Sequence, residues 1–319
     1  MPTPYHRAAV HLRHASSVVV CGHLKPDGDA IGSVLGLTLA LRQAGIPAVP
    51  TLADDRPAPK TYEFLPGFAL FMPVSDLEVP DVFVALDTPG FGRLGIAEEL
   101  ARRAETLIVI DHHPDNAEFG TVNVLDSRAA ASGQMVWQLI ERLEIDPSPE
   151  IALCCYVALM TDTGRFQYDN TSPQAFRDAA AMLEAGVDAA EASRLVYQER
   201  SAGSLGVEGV VLSRLTIANN GHVAYSWVTE EDYEQSGSLP VESEHLPDAI
   251  RVIGGIEIAM LLRVHPTEVR GNLRAKTGFD VGAVARLLGG GGHRAAAGFT
   301  VEGDLEETLA RVLPLLPGA

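Results

Sequence analysis

The sequence predicts an α/β protein whose N-terminal part contains a mostly parallel sheet. Apolar runs rich in β-branched residues are typical of buried strands and occur at 17–22, 81–87 and 106–111, with a weaker run at 46–52. Helical patterns precede, follow or separate these runs, at 5–15, 30–44, 93–104 and 132–144. Alternation of strands and helices is typical of βαβ units, and the unbroken apolar character of the strands predicts helices on both faces.

The C-terminal part predicts a second, smaller α/β domain. The pattern is almost entirely helical from 148 to about 213, so we place a first domain at 1–187, a helical linker at 188–206 and a second domain at 207–319. An Asn-Gly pair within 214–228 indicates a β-hairpin. Further elements follow in order: strands at 255–264 and 267–275, a helix, a glycine cluster at 289–292 and a terminal helix from about 304.

Composition excludes several classes of protein. The 319 residues are 46% hydrophobic and 21% charged, which is typical of a globular protein and not of a disordered chain. Asp and Glu number 42 against 24 Lys and Arg, a formal charge of −18. Because so acidic a surface repels polyanions, we expect no binding of long duplex nucleic acid.

Cysteine usage and the N-terminus predict a cytoplasmic protein. Cys21, Cys154 and Cys155 form neither a disulfide framework nor a CxxC pair, and we expect them in the core. The N-terminal segment has no apolar stretch of signal-peptide length, and no run approaches a membrane span. We therefore expect no membrane partner.

Acidic and histidine side chains stand where predicted strands and helices end. His23, Asp27 and Asp29 follow the first strand, and Asp162 ends an apolar helix. The other strands end at Asp87 and at the run Asp111, His112 and His113. Because ligands bind outside the carboxyl ends of the strands in α/β sheets, we expect these side chains to converge at one edge.

Mixed histidine and carboxylate ligands favour manganese, ahead of zinc, cobalt or iron. The candidates are too numerous for one ion that must keep a position open, whereas two ions bridged by one carboxylate accommodate them. Without cations the carboxylates would repel each other. A single Asp-Gly-Asp is also typical of a turn, and Asp-His-His of a capped strand end, but the coincidence of four segments favours a cation site.

These motifs resemble those of the DHH phosphoesterase family. The resemblance rests on His23-Leu-Lys-Pro-Asp27-Gly-Asp29, Asp87-Thr88, Asp111-His112-His113-Pro114 and Thr161-Asp162-Thr163-Gly164. The run GGGGHRAAAGF at 289–299 resembles the glycine-histidine motif of the DHH-associated substrate domain. The order and spacing of the motifs extend the resemblance over essentially the whole chain. The branch is the nano-RNase and pAp-phosphatase type, related to phosphodiesterases of cyclic di-AMP and pApA.

The resemblance implies two manganese ions, with Asp87 bridging them. One ion would be held by His23, Asp27 and Asp87, and the other by Asp29, Asp87, His112 and Asp162. Asp111 would orient a histidine ligand. His113 would lie beside the phosphate as a donor or a proton source. The alternative for His113 is a buried structural histidine.

The second domain would bind the other end of the substrate. Gly290, Gly291 and Gly292 would let the backbone approach a phosphate and offer N–H donors, and His293 would follow them. Arg274 and Arg294 would contact phosphate. A flexible loop and a solvated surface arginine are the alternatives for the glycine run and for Arg294. Ser132 is expected to cap a helix, although it could face the cleft.

The expected function is manganese-dependent hydrolysis of dinucleotides and very short RNA. Candidate substrates are nano-RNA, pApA, cyclic di-AMP and pAp. Two alternatives remain: an inorganic pyrophosphatase, which would have a differently built second domain, and a nucleotide sensor without turnover, which would usually lack a ligand. The family resemblance also implies a homodimer.

Overall fold

The computed structural model describes residues 3–55, 58–243, 245–276, 278–292 and 294–319. The chain divides into two compact units, Met1–Gln198 and Glu199–Ala319. Within the described ranges, no helix has both the length and the apolar composition required to span a bilayer.

The first unit is built on a five-stranded sheet. Its strands are β1 (Val18–Cys21), β2 (Ala48–Thr51), β3 (Val82–Leu86), β4 (Thr106–Asp111) and β5 (Val122–Leu125). They lie in the order β2-β1-β3-β4-β5, and every pair is parallel. The helices are α1 (Pro4–His14), α2 (Gly28–Gln43), α3 (Glu98–Arg103), α4 (Ser132–Arg142), α5 (Pro149–Asp162), α6 (Pro173–Glu184) and α7 (Ala189–Tyr197).

Apolar side chains on the two faces of this sheet pack into two separate clusters. One face, which includes Val20, Val84 and Ile108, packs against α1, α2, α4 and α5. The other face, which includes Phe83 and Val109, packs against α3 and the 3-10 turn before it. The predicted parallel sheet, covered on both faces, is therefore confirmed, and the three cysteines are buried as expected.

Strand β5 was not predicted. It is only four residues long, and buried Val122 and Val124 alternate with half-buried Asn123 and Leu125. A short edge strand of this kind lacks the continuous apolar run that identified β1, β3 and β4.

Glycines on α2 allow close packing against α5. Gly28, Gly32 and Gly36 lie four residues apart on one face of α2. A Cβ on Gly32 would lie 2.5 Å from the carbonyl oxygen of Cys154, and one on Gly36 would lie 2.8 Å from the sulfur of Cys155. Only glycine therefore permits this helix spacing, which carries the end of α5 to the start of α2.

The second unit contains a six-stranded sheet. Its strands are β6 (Thr216–Ala218), β7 (Val223–Thr229), β8 (Ile258–Val264), β9 (Glu268–Ala275), β10 (Gly291–Gly292) and β11 (Ala296–Glu302). The order is β10-β11-β9-β8-β7-β6, antiparallel except between β7 and β8. The helices are α8 (Ala202–Ser213), α9 (Glu230–Ser236), α10 (Leu246–Arg251), α11 (Val281–Leu287) and α12 (Leu305–Val312).

The predicted hairpin is confirmed, and one long strand was missed. Strands β6 and β7 pair across Asn220 and Gly221, which both have positive φ, as Asn-Gly turns require. Strand β11 was not predicted, because Ala296 to Gly298 are small residues of low β propensity. Its long pairing with β9 determines its conformation.

The close approach of α2 and α5 predicts opposite effects for one substitution at two helical glycines. Gly32→Ala should lower the free energy of unfolding by about 1–3 kcal/mol, because the added methyl group meets the backbone of α5. Gly209→Ala, inside α8 with nothing within 4 Å, should leave it unchanged or raise it by up to about 1 kcal/mol. Urea unfolding of both variants measures the difference, and equal effects would contradict this packing.

Candidate metal centre

The structure brings the predicted side chains together at the carboxyl edge of the first sheet. Strand β1 leads to His23, strand β3 to Asp87 and strand β4 to Asp111. Helix α2 begins at this edge, with Asp27 as its N-cap and Asp29 in its first turn. Helix α5 ends here at Asp162.

The first group of side chains comprises His23, Asp27 and Asp87. The Nε2 atom of His23 lies 3.3 Å from Asp87 Oδ2 and 3.7 Å from Asp27 Oδ1. His23 and Asp87 are buried, whereas the side chain of Asp27 is 58% exposed. This group therefore has one open side.

The second group comprises Asp29, His112 and Asp162. The Nε2 atom of His112 lies 3.8 Å from Asp29 Oδ2, 3.7 Å from Asp162 Oδ2 and 3.4 Å from Asp87 Oδ1. The two oxygens of Asp87 thus face different histidines, one in each group. Asp87 lies between the groups, where a bridging ligand would be required.

Both histidines are held so that Nε2 faces the carboxylates. Nδ1 of His23 lies 2.8 Å from the carbonyl oxygen of Leu24, and Nδ1 of His112 lies 3.3 Å from that of Ala129. A carbonyl oxygen can only accept, so these contacts favour a proton on Nδ1 and leave Nε2 as the atom that would bind a cation once it is deprotonated. At His23 the Arg93 guanidinium, which can only donate, also lies 2.9 Å from Nδ1, so this nitrogen can serve only one of its two neighbours. Two such nitrogens among carboxylate oxygens form a donor set that fits divalent cations.

The backbone of Asp87 is strained. Its φ is +54°, in the left-handed region that side-chain-bearing residues rarely adopt. Such a conformation costs about 1 kcal/mol or more and persists where the surroundings impose it, often at functional sites. This backbone strain accompanies the position of the Asp87 carboxylate between the two groups.

Asp29 takes the place of a helix cap for α4. Its Oδ2 accepts from the N–H of Ser132 at 2.7 Å, and its Oδ1 accepts from the N–H of Gly133 at 2.8 Å. The expectation that Ser132 is the N-cap is wrong, since Ala131 holds that position without a side-chain cap. The Ser132 hydroxyl instead donates to Asp87 Oδ1 at 3.1 Å, so it faces the site.

Burial and mutual repulsion change the pKa values of the carboxylates in the cluster. Desolvation, with Asp87 and Asp162 nearby, raises the pKa of Asp29 well above its usual value. Desolvation also raises the pKa of Asp162 to about 7. Burial opposes ionisation of Asp87 too, but His112 and His23 outweigh it and hold its pKa well below the usual range. The carboxylates therefore require positive charge at this edge.

Asp111 contacts and orients His113. It contacts neither His23 nor His112. Its Oδ1 lies 2.6 Å from Nδ1 of His113, and its Oδ2 accepts from Asn116 Nδ2 at 2.6 Å. Desolvation opposes protonation of His113, but Asp111 and Asp87 outweigh it and raise its pKa. Backbone carbonyl oxygens face Nδ1 of His23 and of His112 instead, so the histidine that Asp111 orients is His113, which forms a third possible metal-binding group with Asp87 and His112.

Sequence reasoning missed Asn116 and Arg93. Asn116 holds the buried Asp111 and also donates to the Thr88 carbonyl at 3.0 Å. The guanidinium of Arg93 lies 2.9 Å from Nδ1 of His23. The sequence signal that could have identified Arg93 is its position as a basic residue in the segment after β3. No sequence signal identifies Asn116, because its contacts depend on how its loop folds.

The two arginines that the sequence predicts to bind substrate in the second unit contact oxygen atoms of the chain itself. Nε of Arg274 lies 3.7 Å from Asp248 Oδ1, and Arg294 donates to the carbonyl oxygen of Gly278 at 2.8 Å. His293 lies outside the described residues.

The glycine run has a structural explanation that differs from the expected one. A Cβ on Gly290 would lie 2.1 Å from the carbonyl oxygen of Gly298, and one on Gly292 would lie 2.6 Å from Cα of Ala297. The N–H of Gly290 donates to the carbonyl oxygen of Ala285, so it is not available to a phosphate as expected. At Gly291, in contrast, a Cβ would meet nothing within 4 Å.

Comparisons with known proteins agree with these motifs. Residues 17–159 match the DHH family, N-terminal domain, and residues 220–316 match the DHHA1 domain. A Thermus thermophilus protein named bifunctional oligoribonuclease and PAP phosphatase NrnA is 36% identical over 93% of this chain and 88% of its own length. A Bacillus subtilis protein of the same name is 25% identical over 89% of each chain.

A solved structure confirms the fold. The crystal structure of an exopolyphosphatase-related protein from Bacteroides fragilis matches with a TM-score of 0.92 at 24% sequence identity. The match covers 98% of this chain and 94% of that one.

The cluster predicts that a divalent cation, tested here as Mn²⁺, releases protons when it binds. Desolvation opposes protonation of His112, but Asp87, Asp162 and Asp29 outweigh it and raise its pKa to about 11, while the pKa of Asp162 is raised to about 7. A cation requires both side chains deprotonated, so the affinity should fall by about tenfold or more per pH unit below about pH 7. Calorimetry in buffers of different ionisation enthalpy counts the protons; an enthalpy independent of the buffer would contradict this electrostatic picture.

Proposed function

Since the chain belongs to the DHH family and carries a DHHA1 domain, we propose that it is a manganese-dependent phosphoesterase acting on dinucleotides and very short RNA. The observation that carries the proposal is the position of Asp87, whose two carboxylate oxygens each face a different histidine-carboxylate group. The protein is an enzyme that hydrolyses phosphoester bonds.

We assign two divalent cations to the two groups. His23, Asp27 and Asp87 would hold one, and Asp29, Asp87, His112 and Asp162 the other. Mixed nitrogen and carboxylate ligands fit a divalent first-row metal, and we propose manganese because carboxylates outnumber histidines in the set. When bound, the pair would lower the pKa of a water and offset charge on the phosphoryl oxygens.

His113 and Asp111 would act on the leaving group. Asp111 accepts at Nδ1 of His113, which leaves Nε2 as the ring atom to pass a proton to the departing oxygen. Asn116 donates to the other oxygen of Asp111, so the carboxylate is held with Oδ1 toward His113. No serine or cysteine nucleophile is required, and the buried cysteines lie in the core.

The proposed substrates are short. Relatives at 36% and 25% identity are named oligoribonuclease and PAP phosphatase, which supports nano-RNA, pApA and pAp, with cyclic di-AMP as a further candidate. A formal charge of −18 opposes long polyanions. We further propose that Arg274, Gly291, His293 and Arg294 contact substrate in the second unit, and that the enzyme is a cytoplasmic homodimer.

A substrate panel tests the function. The protein with Mn²⁺ should release mononucleotides from pApA and from RNA of about five nucleotides, faster than from long single strands. The same panel includes pAp, cyclic di-AMP and pyrophosphate, with products separated by anion-exchange chromatography. Pyrophosphate as the best substrate would establish the pyrophosphatase alternative, and no hydrolysis of any compound would establish a sensor.

Removal of one carboxylate from the cluster should abolish turnover. Asp29→Ala and Asp87→Ala should each lower kcat on pApA by at least about 100-fold, because each removes a metal ligand. Bound manganese, measured by elemental analysis after gel filtration, should fall with it. Asp76→Ala is the control, since Asp76 belongs to none of the ligand groups. Turnover and metal content near wild type in either cluster variant would overturn the ligand assignment.

A further inference from the structure

Residues 129–133, named here the ligand turn, comprise the end of the loop between β5 and α4 and the first two residues of α4, and they contact three of the proposed metal ligands. The Ala129 carbonyl faces His112, and the start of α4 donates two N–H groups to Asp29 and one hydroxyl to Asp87. Any shift of this short segment would therefore move or release ligands of both proposed cations.

The middle of the ligand turn is clamped by two side-chain amides. Oε1 of Gln134 accepts from the N–H of Ala130 at 2.7 Å, and Nδ2 of Asn170 donates to the carbonyl oxygen of Ala130 at 3.0 Å. Asn170 also donates to the backbone and the carboxylate of Asp162. Both polar groups of one buried residue are thus satisfied from outside the turn.

Asp178, on α6, decides which way the Gln134 amide points. Its Oδ2 accepts from Gln134 Nε2 at 2.7 Å, and its Oδ1 accepts from Gln174 Nε2 at 2.7 Å. A carboxylate only accepts, so it fixes the NH₂ end of Gln134 and leaves the oxygen for Ala130. Gln134 and Asp178 are only 2% and 7% exposed, and such burial of polar groups requires their hydrogen bonds.

We propose that Gln134, oriented by Asp178, is a positioning residue of the metal centre. It holds the ligand turn in the geometry that aims His112, Asp29 and Asp87 at the cations. Loss of the amide leaves the N–H of Ala130 buried without a partner, so the turn relaxes until that group finds one. The inference rests on the proposed function, since it concerns the same cations.

A pair of substitutions on one helix tests the role. Gln134→Leu keeps the volume and removes both hydrogen bonds, and it should weaken Mn²⁺ binding about 10–100-fold and lower kcat on pApA. Gln138→Leu is the matched control: its amide lies 3.4 Å from the same oxygen of Asp178 but holds no part of the ligand turn. This control should keep Mn²⁺ affinity and kcat within about twofold of wild type.

Exchanging the amide and the carboxylate between positions 134 and 178 should restore Mn²⁺ binding. Gln134→Glu alone sets two carboxylates against each other and should weaken Mn²⁺ binding. Added Asp178→Asn restores a donor opposite the introduced carboxylate, which can still accept from Ala130, so the double variant should recover most of the affinity. If Gln134→Leu does not fold, the comparison of Gln134→Glu with the double variant still tests the proposal.

The outcomes separate the two proposals. Wild-type protein that binds no Mn²⁺ and hydrolyses nothing would overturn the proposed function, and this inference with it. Active wild type with Gln134→Leu at wild-type Mn²⁺ affinity and kcat would overturn only this inference. A lower thermal midpoint for Gln134→Leu with unchanged Mn²⁺ affinity would do the same, since it would show a structural role alone. Failure of the double variant to exceed Gln134→Glu would also contradict the role of Asp178.

Discussion

The crowding of four carboxylates around two imidazoles is the constraint on which this edge of the sheet depends. Asp27, Asp29, Asp87 and Asp162 contribute oxygens to groups whose ligand atoms lie within 4.8 Å of one another. Like charges at such distances repel strongly in a desolvated site. Most of the local structure is explained as a means of holding these side chains where they would otherwise separate.

Helix ends and glycines hold them there. Asp29 lies at the N-terminus of α4, whose N–H groups and partial positive charge favour a carboxylate. The helices can converge only because side chains are missing: a Cβ on Gly28 would lie 2.5 Å from Oγ1 of Thr161, and one on Gly133 would lie 2.3 Å from Cβ of Ala158. The geometry of the centre thus follows from helix packing as much as from the ligands.

The convergence of the proposed ligands was predictable from the sequence, whereas the residues that hold them in place were not. Strands that end in Asp or His leave a local signal, so the sequence alone places His23, Asp87 and Asp111 at one edge. The bond from Ser132 to Asp29 spans 103 residues and that from Gln134 to Asp178 spans 44, and no local pattern predicts such pairs. The glycine run shows a different limit of sequence reasoning: its residues suggested a phosphate site, and close strand packing by itself also requires glycine at 290 and 292.

Charge balance favours two cations over one. When ionised, Asp27, Asp29, Asp87 and Asp162 carry four negative charges, and neutral histidines add none. One divalent ion would leave the centre with two negative charges, in a protein whose formal charge is already −18, and would repel a phosphodiester. Two divalent ions would neutralise the four carboxylates, so an anionic phosphoryl group could approach. A centre built from this many carboxylates therefore suits an anionic substrate only when both groups are filled.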